Sequence, residues 1–451
     1  MFGNILSMPA DALFLRVSLL LGVVFAVLVP PFQSPDEPNH FFRAYQVSEG
    51  VFFPEIREQR LGGTLPRSLA QVRDSFSSLK MNYNARTNPR LIWESLSIPL
   101  NAQQRDFLDF PNTAIYAPTA YLPQSTAIAL SRMAGASPLQ MLYAARLCNL
   151  LLWVLLVWIA IRATPFLKSA MLVLALLPAS IVVAASASAD VTTNGMSWCL
   201  MAWLVRGVRF PAALAATVVI CANKLIAWPL VLLYWFRSWG KRVLAGLSIA
   251  AIGLAAALLW GNLAQQWFIP YDAYHPGFRD AQTLNEGVSP ARQKAYIAEH
   301  PLHFISVAAK SFALSAPSTA AHFVGKFGWE KNYLHPVWIV LLWLSIILVC
   351  VSEQNPLRPV QRLGAVGIAG LYVALFALTM YVLWCPVGAA EVTNFQGRYF
   401  VPIAPVVALA VAHARLGESR TIIFGSVLGI LLASHVAMAI EIWWRYYQAA
   451  I

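Results

Sequence analysis

Ser34-Pro35-Asp36-Glu37-Pro38-Asn39-His40-Phe41-Phe42-Arg43 brings two adjacent carboxylates, an imidazole and a guanidinium together in one short stretch. Ser34 or Asp36 can cap a helix whose first turn tolerates Pro38, and Asp36, His40 and Arg43 then stand at i, i+4 and i+7 on one face. A carboxylate placed this way can act as general base towards an attacking hydroxyl, with Asp36 and Glu37 both candidates. It can also share a divalent cation, Mg or Mn, with His40. The structural alternative is that Asp36 only caps the helix and Glu37 faces water.

Other polar groups recur beside apolar runs. Arg146 lies early in one run, Asp190 and Asn194 follow Ser186-Ala187-Ser188-Ala189, Lys224 follows Asn223, and Arg398 follows Gln396-Gly397. A charge this close to hydrocarbon is costly unless it is paired or used. Arg146 can pair with Asp190 between helices, or hold a phosphate. Arg398 has no acid nearby in sequence except Glu391 and reads as a phosphate ligand. Lys224 reads as an anion ligand at a turn below the surface, or as a lysine snorkelling from one long tilted helix. Lys326, within Gly325-Lys326-Phe327-Gly328-Trp329, is a further phosphate candidate. His40, Arg43, Asp190, Asn194, Tyr121 and Gln396 are candidates for acceptor binding or structural support.

The elements that must position these groups are membrane spans. The 451 residues are 59% hydrophobic and 12% charged, with a mean hydropathy of +0.61. The run from Ala12 to Phe32 reads as a retained first span. Further spans are expected at about 139–161, 169–187, 195–208, 211–222, 225–236, 243–262, 336–352, 363–383, 399–415 and 421–441. The expected fold is therefore an all-α polytopic membrane protein, a single transmembrane domain over 1–451 with about 11 crossings (range 10–13). Two large extracytoplasmic regions, 33–138 and 263–335, interrupt it. The run at 116–137 carries Pro118, Pro123 and Arg132 and reads as an interfacial helix rather than a crossing.

Basic residues in short connections set the orientation. Arg162, Lys168, Arg206, Arg209, Arg237, Lys241, Arg242, Arg358, Arg362, Arg415 and Arg420 face only Glu353 and Glu418, which puts those loops in the cytoplasm and both large regions outside. Such a chain belongs in a bacterial inner membrane, with its site towards the periplasm.

Four of the five cysteines lie inside apolar runs, which argues against a disulfide framework or thiolate metal site. Phosphate-loop, zinc-protease and serine-elbow patterns are absent from the sequence, and no concentrated basic surface calls for nucleic acid. Group transfer without a nucleotide needs an activated donor carried in the membrane among its lipids. A polyprenyl-phosphate sugar meets that need: an outward carboxylate activates the acceptor hydroxyl while Arg and Lys steady the leaving phosphate. No resident cofactor is expected with certainty.

The same residues carry a resemblance. Pro35-Asp36-Glu37-Pro38-Asn39-His40-Phe41, Ala117-Pro118-Thr119-Ala120-Tyr121-Leu122-Pro123-Gln124, Ala145-Arg146-Leu147-Cys148-Asn149, Ser188-Ala189-Asp190 with Asn194, Asn223-Lys224, and Gln396-Gly397-Arg398-Tyr399-Phe400-Val401-Pro402 resemble the bacterial multispanning family catalogued as domain of unknown function 2142. That family is similar to the GT-C membrane glycosyltransferases. The resemblance implies a catalytic acid in the first external loop, where Asp36 stands, an interfacial helix before a second crossing opened by Ala145-Arg146-Leu147, and transfer of sugar to an extracytoplasmic glycan or lipid-linked acceptor. A surface polysaccharide polymerase or ligase, and a transporter or flippase of a polyprenyl-linked glycan, are the alternatives.

Overall fold

The computed structural model describes residues 7–207, 210–236, 243–279, 285–329, 331–414, 416 and 419–448. Arg209, Arg237, Lys241, Arg242, Arg415 and Glu418, used above for orientation, lie outside them. In chain order the principal helices are α1 (Ala10–Leu28), α2 (Glu37–Ser48), α3 (Leu122–Met133), α4 (Pro138–Ala163), α5 (Lys168–Ala175), α6 (Pro178–Ala184) and α7 (Asp190–Arg206). They continue with α8 (Phe210–Asn223), α9 (Val243–Gln265), α10 (Pro301–Gly325), α11 (Pro336–Ser352), α12 (Pro359–Trp384), α13 (Ala404–Val411) and α14 (Arg420–Tyr446). Five of these, α1, α4, α9, α12 and α14, are long and apolar enough to cross a membrane; α8 and α11 are apolar but shorter.

Proline decides where apolar sequence stops being one helix. The run expected at 169–187 is two buried helices, because Pro178 has no N–H to continue α5 and instead starts α6. At 211–236, α8 ends at Asn223 and a 3-10 segment, Leu225–Phe236, follows with Pro229 inside it. At 1.5 and 2.0 Å per residue these segments reach only about 21 and 24 Å, short of a ~30 Å hydrocarbon core. The single long tilted helix is thus excluded, and Lys224 sits at the break. The run at 399–415 is likewise a 3-10 turn, Gly397–Phe400, followed by the eight residues of α13. Helix α4 starts on a capping box, in which the Ser137 Oγ accepts from Gln140 N at 3.3 Å and the Gln140 Oε1 accepts from Ser137 N at 2.8 Å.

The all-α expectation is corrected. Strands β1 (Glu55–Arg57), β2 (Arg60–Pro66) and β3 (Arg105–Asp109) form an antiparallel sheet in the order β1-β2-β3. A Cβ on Gly62 would lie 1.9 Å from the Leu108 carbonyl oxygen, so only glycine allows this strand approach. Helix α3, the expected interfacial element, spans about 18 Å at 1.5 Å per residue. It packs between α2 and α4 and leaves Met133 84% exposed.

Short and long connections separate to opposite ends of the bundle. At one end Ser169 N donates to Glu353 Oε1 at 2.6 Å, Arg420 pairs with the same carboxylate at 3.5 Å, and Asn355 Nδ2 donates to Leu409 O at 2.8 Å. At the other end the two large polar regions join. Leu61 N donates to Tyr274 Oη at 3.0 Å, His275 N to Gln59 O at 3.1 Å, and Lys331 N to Tyr83 Oη at 3.2 Å. Phe53 and Trp267 stack at 5.4 Å.

Candidate functional site

A buried ion pair builds the floor of the site. Glu37, in the first turn of α2, accepts from Arg146 Nε at 2.8 Å and Nη2 at 2.6 Å, from Phe32 N at 3.0 Å and from Ala187 N at 3.1 Å. The rest of the Arg146 guanidinium donates to the carbonyls of Ala26, Val29 and Pro30 at 2.8, 2.8 and 3.0 Å, satisfying the open C-terminal end of α1. Both side chains are 0% exposed. One clamp therefore fixes the end of α1, the turn before α2, and the turn before α7. The expected partnership of Arg146 with Asp190 is corrected: Arg146 pairs with Glu37, lies away from the cavity and holds no place for a phosphate. Glu37, a candidate base in sequence, is likewise consumed by four donors.

The clamped turns display the next layer. Asp36 has φ 60° and Phe32 φ 65°, left-handed backbone that aspartate tolerates better than most residues and that stores strain at the turn. Asp36 stands at the N-cap position, yet its carboxylate makes no capping bond. Instead it accepts from Arg398 Nη2 at 2.6 Å and from Asn112 Nδ2 at 3.3 Å. Arg398 Nε lies 4.0 Å from Asp190 Oδ2, and Asp190 Oδ1 pairs with Lys224. Two carboxylates and two cations thus alternate across four segments far apart in sequence. Lys224 reaches this cluster because the break after α8 places it at the helix end, with its ammonium 5.1 Å from the Tyr399 ring centroid.

This cluster borders a cavity of about 310 Å³ whose lining includes Asp36, His40, Asp190, Lys326, Gln396 and Arg398. Lys224 and Tyr121 stand behind it, bonded to Asp190 and, at 2.8 Å, to His40 Nδ1. Burial raises the Asp36 carboxyl, but the neighbouring Arg398 guanidinium and His40 outweigh it and hold the group below the ordinary carboxylate value. Burial pulls His40 down to about 4 against the opposing pull of Asp36 and Asp190, so its imidazole is neutral at pH 7. Two buried atoms of the cluster, Arg398 Nε and Asp190 Oδ2, have no hydrogen-bond partner among the described residues, which leaves room for a ligand's acceptor and donor.

The other candidates are placed as follows. Arg43 does not share the face of Asp36: it is buried and donates to Phe52 O at 2.7 Å and Tyr116 O at 3.2 Å, tying α2 to the rest of the first polar region. Asn194 is buried on α7 and is not part of the cavity lining. Gln396 bonds Asn394. Among the described residues no three His, Cys, Asp or Glu side chains are grouped to hold a metal ion. Asp36 and His40 supply only two ligands, and a guanidinium already sits on the Asp36 carboxylate, so the proposed metal pair does not fit a resident cation.

Sequence reasoning gave no role to Asn112, Tyr116 or Tyr399. Asn112 is anchored by Asn39, Tyr116 lines the cavity, and Tyr399 Oη accepts from Arg398 Nη2 at 3.2 Å. Tyr399 follows Arg398 directly, so its neighbourhood was legible; the pairing of Asn112 with Asp36 was not.

No curated protein matches the chain, and no solved structure matches it. The family described as predicted membrane protein (DUF2142) matches residues 19–407, which include the clamp, the four-ion cluster and all of the cavity lining. The chain is therefore a member of the DUF2142 family of predicted membrane proteins.

Proposed function

We propose that this protein is a GT-C-type membrane glycosyltransferase of the bacterial inner membrane. It has eleven membrane segments, among them the short pair that meets at Lys224, and moves a sugar from a polyprenyl-phosphate donor to an extracytoplasmic cell-envelope glycan or lipid-linked acceptor. The observation that carries this reading is the cavity in which Asp36, Asp190 and Arg398 converge, with Lys224 behind, at the end of the bundle formed by both large polar regions. In this reading the donor phosphate docks on Arg398, taking up guanidinium donors such as Nε, which has no partner among the described residues, while Lys224 adds positive charge from behind Asp190. As the phosphate draws on Arg398, Asp36 loses part of its counter-ion and becomes the stronger base. The acceptor oxygen attacks the anomeric carbon, its proton passes to Asp36, and the bond to phosphate breaks with polyprenyl phosphate leaving. One displacement inverts the anomeric centre. Asp190 keeps the two cations in register, and neutral His40 with Tyr121 supports the wall beside the acceptor.

Arg398 offers the direct test. Lysine keeps the charge but not the planar fork, so Arg398→Lys is expected to raise the donor KM about tenfold while leaving the protein folded. Unchanged donor kinetics in purified Arg398→Ala protein would remove this residue from the site.

Sidedness has its own test. Arg90, whose side chain is 86% exposed, belongs to the first polar region, and exposed Gln354 belongs to the opposite end. In intact cells an impermeant maleimide is expected to label Arg90→Cys and to miss Gln354→Cys. The reverse pattern would invert the orientation.

A further inference from the structure

We propose that the water-facing end of the cavity is a separate subsite for a negatively charged sugar ring, centred on Lys80 and Trp329. The Lys80 ammonium lies 4.6 Å from the Trp329 ring centroid. Lys80 takes part in none of the ion pairs that occupy Arg398, Lys224 and Arg60 at this end of the bundle. Trp329 is 8% exposed, and its buried indole Nε1 has no hydrogen-bond partner among the described residues. A buried indole N–H without an acceptor carries a desolvation cost that a ligand acceptor atom would remove.

Lys80 and Trp329 line the cavity together with Asn285, Lys326 and Trp384. The ammonium groups and the indole N–H can only donate, while the indole faces suit the C–H face of a sugar ring. A ring bearing a carboxylate or phosphate supplies strong acceptors for these donors, and a neutral sugar supplies weaker ones. Depth separates the subsite from the donor phosphate. Arg398 and Lys224 side chains are 11% and 14% exposed, at the ends of apolar segments, whereas Lys80 is exposed to solvent. A lipid phosphate stays at the level of the former; a water-borne acceptor reaches the latter. Calling the ligand an acceptor rests on the glycosyltransferase reading, but the anion preference does not.

The experiment reads binding without turnover, so its failure is distinct from a failure of transfer. Purified full-length protein in nanodiscs is titrated with D-glucuronic acid and D-glucose by saturation-transfer NMR, and separately with a short polyprenyl monophosphate. Glucuronate is expected to bind more tightly than glucose. Lys80→Met should weaken glucuronate about tenfold, the worth of one charge-assisted contact, and leave polyprenyl phosphate unchanged. Trp329→Phe, which keeps an aromatic face and removes the N–H, should weaken glucuronate about threefold or more. Equal binding of the two sugars, or parental glucuronate binding by Lys80→Met, overturns the proposal. So does an equal loss of polyprenyl-phosphate binding in Lys80→Met, which would return Lys80 to the donor site. Because Lys80 is exposed, its variant tests the subsite even if Trp329→Phe does not fold.

Discussion

Asp36→Asn protein is expected to insert, fold and bind the lipid donor, yet to transfer sugar at least about a hundredfold more slowly, the usual worth of a positioned base. Asparagine suits the test for a conformational reason. Residue 36 has φ 60°, and asparagine enters left-handed backbone as readily as aspartate does, so the turn need not rearrange. It also retains an oxygen for the Asn112 amide now donating at 3.3 Å. What it loses is the charge opposite Arg398. That loss has a second, opposite consequence: a guanidinium no longer shared with residue 36 is free for the donor phosphate, so donor affinity should hold or rise while turnover falls. A purely structural Asp36 would lower both. The pH profile adds a further check. Arg398 holds the carboxyl below its ordinary value and His40 titrates near 4, so the acidic limb of kcat/KM, which reports the free enzyme, is expected below about pH 4. Near-normal turnover by Asp36→Asn, or a limb near pH 6 in the parent, would assign the base elsewhere.

The long spans were legible because they need only local information. Helices α1, α4, α9, α12 and α14 follow from uninterrupted apolar runs, and the break at Lys224 follows from two runs each too short to cross. The sheet was not legible, for an identifiable reason. Its β1–β2 hairpin turns through Glu58 and Gln59, both at positive φ, where the usual signal is Asn-Gly or Asp-Gly. At the site, sequence supplied the right residue types but the wrong partners. In the sequence Arg146 and Asp190 share one membrane depth, and depth alone cannot say which faces of α4 and α7 meet. The answer depends on the tight turn after α1, which carries Glu37 back onto Arg146. Likewise, the sequence neighbours of Arg398 offer only Glu391 as an acid, whereas its partner Asp36 is 362 positions away.

That same turn makes Glu37 the residue whose loss should be felt most in folding. Glu37→Gln leaves the Arg146 guanidinium charged and fully buried, and an amide oxygen cannot replace two carboxylate oxygens that together accept from Arg146, Phe32 and Ala187. Breaking one side of a buried pair costs about 3–5 kcal/mol, mostly the penalty of the stranded charge. The expected result is a large fall in the thermal midpoint of the purified protein. Arg146→Met alone strands the carboxylate and should cost a similar amount. The double variant Glu37→Gln/Arg146→Met removes both charges, so it should be destabilised by clearly less than the two single losses added together. Additive losses would mean that the pair is not the unit holding the turn. The readout must be taken where the single variants are still folded, because the clamp also sets the positions of Asp36 and Asp190. There, donor binding and transfer should decline together as both groups drift, unlike the selective loss of turnover expected for Asp36→Asn. A Glu37→Gln protein with parental stability, parental donor binding and no transfer would reverse the assignment and make Glu37 the base.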